Sequence, residues 1–310
     1  MQLGIDTYSF HLAFQWGGLD IFAYLRHVKA LGLDGVKINM GGDYAYHLGS
    51  ADPAHLRAIR DLRESLGLYL ELDTRGTAPR HLEKSLRICH ALGGDILRTY
   101  AIPRGDVIQD LHHAVLDLRA VTPLCAELGV RIAFENHEYE TAQQVLNVVE
   151  AVGSPHVGLL VDTGNSAPLW EDPLAAVRTM APRAISTHFK DQVIIVENGE
   201  PLIVGTPLGR GALDCAACWK ILVENSPLAR INIEMCYGYS APFRLPQDQG
   251  HGGRLGEDAF RITPPPHKPA WIMPHPSAVP PEKRAEVVAW QLQGIAESVA
   301  FMKHLRASNP

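Results

Sequence analysis

RIAFENHEYETAQQVLNVVEAV, residues 131–152, holds the pattern on which the fold reading rests. Its first five residues lean apolar and read as a buried strand. Glu135, Asn136, His137, Glu138 and Glu140 then crowd into six positions, and TAQQVLNVVEAV follows with the three-and-four spacing of an amphipathic helix. A buried carboxylate must be paired, hydrogen-bonded or bound to a metal. A strand that ends in such groups and turns at once into a helix reads as one βα unit with chemistry at the strand's C-terminal end.

The same alternation extends in both directions. Strands are expected at 3–10, 35–40, 69–74, 96–103, 131–137, 157–165, 184–191 and 229–236, separated by helical stretches such as PAHLRAIRDLRESLGL and DLHHAVLDLRAVTPLCAELG. Several of these helices end in Gly, the usual left-handed C-terminal residue. Eight strands and eight helices in alternation predict an α/β protein, a (β/α)8 TIM barrel, as a single domain over residues 1–310. Residues 237–281 break the rhythm with Pro, Gly, His and aromatics, including WIMPHP. This long loop insertion after strand 8 emerges at the catalytic face, so it is expected to be a lid or a partner-binding segment.

Composition narrows the class. The 310 residues carry 28 Lys and Arg against 34 Asp and Glu, a formal charge of −6, with no basic run. No nucleic acid is therefore expected as a partner. MQLGIDTYSF lacks the basic start and apolar core of a signal peptide, and no apolar run approaches a membrane span, so a cytoplasmic protein without membrane contact is expected. Five scattered cysteines make no disulfide framework, and the lone CxxC of Cys215 and Cys218 reads as small residues on one helix face after the cap Asp214.

In a barrel the functional groups gather at the C-terminal strand ends. Glu135, Asp162, His188 and Glu234 end four consecutive strands, and three carboxylates with one imidazole form a divalent-metal set. Its oxygen-rich character favours Mn²⁺, with Mg²⁺, Co²⁺ and Zn²⁺ as alternatives.

IAFENHEYETAQQVL, VGSPHVGLLVDTGN, THFKD, PLGRGALD and INIEM together resemble the motifs of the sugar phosphate isomerase/epimerase family, the xylose isomerase-like barrels, over residues 1 to 236. Carried over by position, the resemblance implies the same metal ligands: Glu135, Asp162, His188 and Glu234. Members of the family include epimerases, isomerases, dehydratases, endonuclease IV-like enzymes and the metal-bearing subunit of C-glycoside deglycosidases. The chain departs from the ketose 3-epimerases at Asn165, where those have His, and near Ile194, where those have Arg. Its acidity and single ligand set set it apart from the endonucleases.

A metal that binds a keto-sugar acidifies the neighbouring C–H, so isomerisation or epimerisation through an enediolate is the expected reaction. Elimination by the same enolisation, on a 3-keto-glycoside or an inosose, is the alternative. The expected catalytic residues are Glu135, Glu234, His137 for proton transfer, and Lys190 oriented by Asp191. Tyr8, His11, Trp16, Arg98, Tyr100, Asn165 and Glu140 are candidates for the substrate pocket, Glu140 also as a second base. The expected partners are a carbohydrate or glycoside substrate and further subunits, in a homo-oligomer or with a second protein.

Overall fold

A computed structural model describes residues 1–308. Its barrel strands are β1 (Gln2–Asp6), β2 (Gly35–Asn39), β3 (Tyr69–Asp73), β4 (Ile96–Thr99), β5 (Arg131–Glu135), β6 (Val157–Asp162) and β7 (Ala184–His188). A hairpin follows, β8 (Asp191–Glu197) and β9 (Glu200–Thr206), then the last barrel strand β10 (Arg230–Ile233) and a short β11 (Ser240–Pro242). The eight barrel strands run parallel in the order β10-β1-β2-β3-β4-β5-β6-β7. Just past β7 the ring closes: Phe189 N donates to Asn232 O at 2.8 Å, and Glu234 N to Phe189 O at 2.9 Å.

The helices are α1 (His11–Trp16), α2 (Ile21–Ala30), α3 (Pro53–Ser65), α4 (Pro79–Ala91), α5 (Val107–Leu128), α6 (Ala142–Val152), α7 (Pro173–Met180), α8 (Cys215–Asn225) and α9 (Arg284–Ser308). Their ends follow local chemistry. Thr141 and Gln144 form a reciprocal capping box on α6, and Gly153 closes it with φ of 67°. Asp214 caps α8, on which Cys215 and Cys218 are buried and unbonded to each other, as the helix-face reading required.

The barrel interior departs from the usual filling of branched apolar side chains. Lys37 is fully buried, its ammonium 2.8 Å from Ser186 Oγ, 3.3 Å from Glu71 and 3.4 Å from Asp73. Arg230 Nε lies 2.7 Å from the other Glu71 oxygen. Gly4 and Gly35 make room for the Tyr69 ring, since a Cβ at either would lie 2.2 Å from it.

Two features correct the expected layout. QVIIVENGEPLIVG forms the hairpin β8–β9, with Asn198 and Gly199 both at positive φ, as a two-residue turn between twisted strands requires. The segment 237–281 is more than a loop: β11 pairs with β9, and Phe243 and Phe260 pack on Trp170 beside Ile194 and Ile203 of the hairpin. Hairpin and insertion thus share a small apolar core beside the barrel mouth.

Candidate active site

β5, β6, β7 and β10 carry Glu135, Asp162, His188 and Glu234 to one point. His188 Nδ1 lies 2.7 Å from Glu135, 3.6 Å from Glu234 and 3.9 Å from Asp162. Ligand atoms of Glu135, Asp162 and His188 all fall within 4.8 Å of one another, and all three residues are buried. Asp162 Oδ1 accepts from the amides of Gly164 (2.8 Å) and Asn165 (2.9 Å), which turns Oδ2 to the centre. That oxygen has no aligned hydrogen-bond donor, although the Lys190 ammonium lies 2.9 Å away.

The electrostatics fit a cation. Burial, reinforced by Glu234 and Glu135 against the pull of Lys190, raises the Asp162 carboxyl to about 6. Burial would also raise Glu135, but Arg98 and His188 hold it well below the ordinary range. Three carboxylates around one imidazole, one oxygen lacking a donor, are a donor set that can hold a hard divalent ion.

The other face of the imidazole meets a second pair of carboxylates. His188 Nε2 lies 2.9 Å from Asp73 Oδ2, and Asp6 is buried next to it with Oδ2 unpartnered. Burial would raise Asp73, but Lys37 and His188 bring it down to about 2. Ligand atoms of Asp6, Asp73 and His188 also lie within 4.8 Å of one another, but neither Asp6 nor Asp73 lines the chambers above the cluster, so Asp73 is placed to support His188 from behind.

Above the cluster lies an inner chamber of about 170 Å³, walled by Arg98, Tyr100, Glu135, His137, Glu138, Asn165, Lys190, Glu234, Tyr8, Asn39, Cys236 and Tyr239. It continues into an outer chamber of about 410 Å³ through the shared residues Tyr8, Asn39, Arg98 and Tyr100. His137 stacks flat on Tyr100, with ring centroids 3.8 Å apart. Burial lowers its pKa despite the opposing charge of Glu135, which favours the neutral imidazole. Lys190 Nζ donates to Asn165 Oδ1 at 2.8 Å. Arg98 Nε donates to Glu135 at 2.6 Å, and its guanidinium covers the Tyr100 ring at 4.6 Å.

Several expected pocket residues lie elsewhere. His11 bonds the Tyr8 carbonyl at 2.9 Å and stacks behind the Tyr8 ring, because the chain turns into α1 instead of extending β1. Trp16 faces Arg284 at the far end of α1. Glu140 accepts from the His137 amide at 3.1 Å, beneath the turn it stabilises, and burial raises it to about 8. Asp191 does not orient Lys190: it accepts from the amides of Gly209, Gly211, Leu213 and Gln192 and pins the loop after β9. In the insertion, Trp271 lies between Arg210 and Lys268, Phe243 on Trp170, and Met273 in the barrel core. None of the three is among the residues that line the inner chamber, which the insertion reaches through Tyr239.

Other residues escaped the sequence reading. Asp73 ends β3 as Asp162 ends β6, and the strand-end argument reaches it too. Glu138, at φ 68°, faces the chamber and is gripped by Tyr239 and Arg244 of the insertion. No local pattern signals that meeting, since its partners lie about a hundred positions further along the chain.

A parallel eight-stranded barrel with a carboxylate–imidazole cluster at its C-terminal mouth defines the class of protein. Residues 25–249 match the family model of the xylose isomerase-like TIM barrel, and the chain belongs to that family. It is 30% identical over 235 residues to the 3-oxo-isoapionate decarboxylase of Pectobacterium atrosepticum, covering 73% of this chain and 82% of that protein. The fold is shared with a xylose isomerase domain protein from Planctomyces limnophilus (TM-score 0.62, 15% identity, 92% of each chain). It is shared also with a D-psicose 3-epimerase crystallised in the presence of D-fructose (TM-score 0.60, 15% identity, 96% of this chain and 100% of that one). Among the described residues no helix is long and apolar enough to cross a membrane.

Proposed function

We propose that this chain is a divalent-metal-dependent lyase that acts on a small keto-sugar or sugar-derived keto acid through an enolate. The observation that carries the reading is the convergence of Glu135, Asp162, His188 and Glu234 beneath a polar chamber that holds one neutral base, His137. Glu135, Asp162, His188 and Glu234 would hold the divalent metal, Mn²⁺ by the oxygen-rich set, which when bound would supply Lewis-acid stabilisation of negative charge on the substrate oxygen.

Side chains of the chamber perform the rest. Tyr8, Asn39 and Asn165 offer hydrogen bonds to sugar hydroxyls, and Lys190 places a cation beside the oxygen that gains charge. Each carboxylate facing the chamber already has a cationic neighbour: Glu135 has Arg98, Asp162 and Glu234 have Lys190, and Glu138 has Arg244. Shuttling a proton between two faces of a carbon calls for two free bases, whereas losing a substituent and protonating the carbon once calls for one. The single free imidazole disfavours epimerisation, and between isomerisation and loss of a substituent, each of which one base can serve, the 30% identity to a decarboxylase of a 3-oxo acid favours the latter. For such an acid, the electron pair of the breaking C–C bond becomes the enolate, carbon dioxide departs, and His137 relays one proton from water to the carbon, giving one from its ring and regaining one from the solvent, which is left as hydroxide.

The test is incubation of the Mn²⁺-, Mg²⁺- and Co²⁺-loaded protein in D₂O with keto-sugars, 3-keto-glycosides and 3-oxo sugar acids, followed by NMR. A shortened or eliminated product with one deuterium at the former branch carbon is expected. An epimer or isomer with its carbon skeleton and substituents intact would return the chain to the isomerases, and turnover without added metal would end the reading altogether.

A further inference from the structure

The reacting cluster uses only the inner chamber, and the larger outer chamber has no role in the reading above. Its wall carries two cations: Arg98, shared with the inner chamber, and Arg75, one residue beyond Thr74 at the end of β3. The cations of the inner chamber are neutralised, Arg98 by Glu135 and Lys190 by Asp162. Among the described residues no carboxylate lies within ion-pair distance of Arg75. Asp43 lines the same chamber and its charge feels Arg75 from beyond ion-pair distance, while its Oδ1 accepts from the amides of Ala45 (3.1 Å) and Tyr46 (3.2 Å).

The wall is shaped around this guanidinium. Arg75 lies flat against Gly42, where a Cβ would stand 2.9 Å from Nε and 3.2 Å from Nη2. Gly41, at φ 64°, turns the chain to bring that bare backbone into place. Tyr46 and Tyr100 add hydroxyl groups, and Thr74, Asn39 and Arg98 lead from this wall to the inner chamber.

We infer that the outer chamber is a subsite for an anionic group that the substrate keeps through the reaction, a carboxylate other than the one lost or a phosphoryl group, held by Arg75. The inference rests on the reading of the inner chamber as the reacting site. The substrate then spans both chambers, with its carbonyl end over the carboxylate cluster and its anionic end on a guanidinium whose planar fork suits two oxygens. Among the described residues Arg75 is the cation of the cavity wall without an ion-pair partner, and high salt should weaken its attraction for an anion at this open site.

The experiment measures binding, which needs no turnover. The Mn²⁺-loaded protein is titrated calorimetrically with inorganic phosphate, D-gluconate and neutral D-fructose, alongside Arg75→Ala, Arg75→Lys and Gly42→Val. At least one anion should bind the wild type and weaken about 10- to 100-fold in Arg75→Ala, the loss expected for a hydrogen-bonded charge pair. Arg75→Lys should restore part of it, Gly42→Val should weaken it by displacing the guanidinium, and D-fructose should be unaffected. Whether phosphate or gluconate binds decides which anionic group the subsite takes. Equal anion binding in wild type and Arg75→Ala, or binding lost in Glu234→Ala but kept in Arg75→Ala, would place the anion on the metal and overturn the inference. Absence of binding by both anions to the wild type would overturn it as well. Loss on Arg75→Ala in a protein that converts no keto acid would leave the subsite standing and remove only the proposed reaction.

Discussion

Asp73→Asn tests the claim that the β3 carboxylate supports the metal-binding imidazole without touching the metal. The imidazole is clasped on both sides, by Asp73 at 2.9 Å from Nε2 and by Glu135 at 2.7 Å from Nδ1. With a metal bound, Nδ1 must offer its lone pair, and the proton must stay on Nε2 facing Asp73. An amide in place of Asp73 still offers an acceptor oxygen but removes the negative charge that makes the ring a strong donor to the metal. Loss of such a partner weakens metal binding about 10- to 100-fold, equivalent to about 1.4–2.8 kcal/mol. Mn²⁺ titration followed by electron paramagnetic resonance at pH 7.5 reads this directly.

The metal-free protein supplies a second readout. Burial works against the Asp73 charge, but Lys37 and His188 hold the pKa at about 2, below its ordinary 3.8. A depressed carboxylate stabilises the fold above its unfolded pKa, and that contribution disappears as pH falls through the folded value. The shift corresponds to stability on the order of 2 kcal/mol, present at neutral pH and lost between roughly pH 4 and 2. Asp73→Asn should therefore be less stable than wild type at pH 7, and the gap should close toward pH 2 in urea unfolding. Mn²⁺ affinity within twofold of wild type would refute the supporting role. Complete loss of metal, as severe as in Glu234→Ala, would make Asp73 a ligand and move the ion to the Nε2 side.

Four further outcomes are expected. Asp162→Ala and Glu234→Ala should each abolish Mn²⁺ retention in elemental analysis, and full occupancy in either would remove that residue from the ligand set. Burial disfavours the charged His188, but Glu234, Glu135 and Asp73 prevail and raise it to about 10, so binding must displace a proton. Apparent Mn²⁺ affinity should then climb about tenfold per pH unit between pH 6 and 9, and a flat profile would contradict proton displacement. His137→Gln should keep its metal and lose about 10²- to 10⁴-fold in kcat, whereas a normal rate would pass the proton transfer to another group. Arg244→Ala leaves the buried Glu138 with Tyr239 alone, so urea unfolding should show a loss of about 1–3 kcal/mol and KM should rise; unchanged values for both would show that the insertion does not brace the chamber.

The alternation of strands and helices was legible because hydrophobic period and capping chemistry are local properties. Thr141 with Gln144, or Gly153 after Val152, does the same work in an isolated stretch of chain as in the fold. The position of Glu135, Asp162, His188 and Glu234 at strand ends was legible for the same reason, since parallel strands in a ring present their C-terminal ends on one face. The hairpin was missed although its Asn198-Gly199 turn lies between alternating residues; the stretch runs on from β7 and breaks the βα rhythm used to find the others.

Ring closure decided the rest. It brings Asp73 onto His188 from 115 positions away, seats Arg98 on Glu135, and carries Tyr239 and Arg244 across the mouth to Glu138. It also sends His11, Trp16 and Glu140 behind the wall that their positions near strand ends had suggested they would line. Sequence by itself determined which face of the barrel carries the chemistry and which residue types reach it, because those depend on period and on position along a strand. Which charge neutralises which, and therefore which groups are left free for a metal, a proton or an anion, depends on the few ångströms between side chains from distant strands, and only the closed barrel sets those distances.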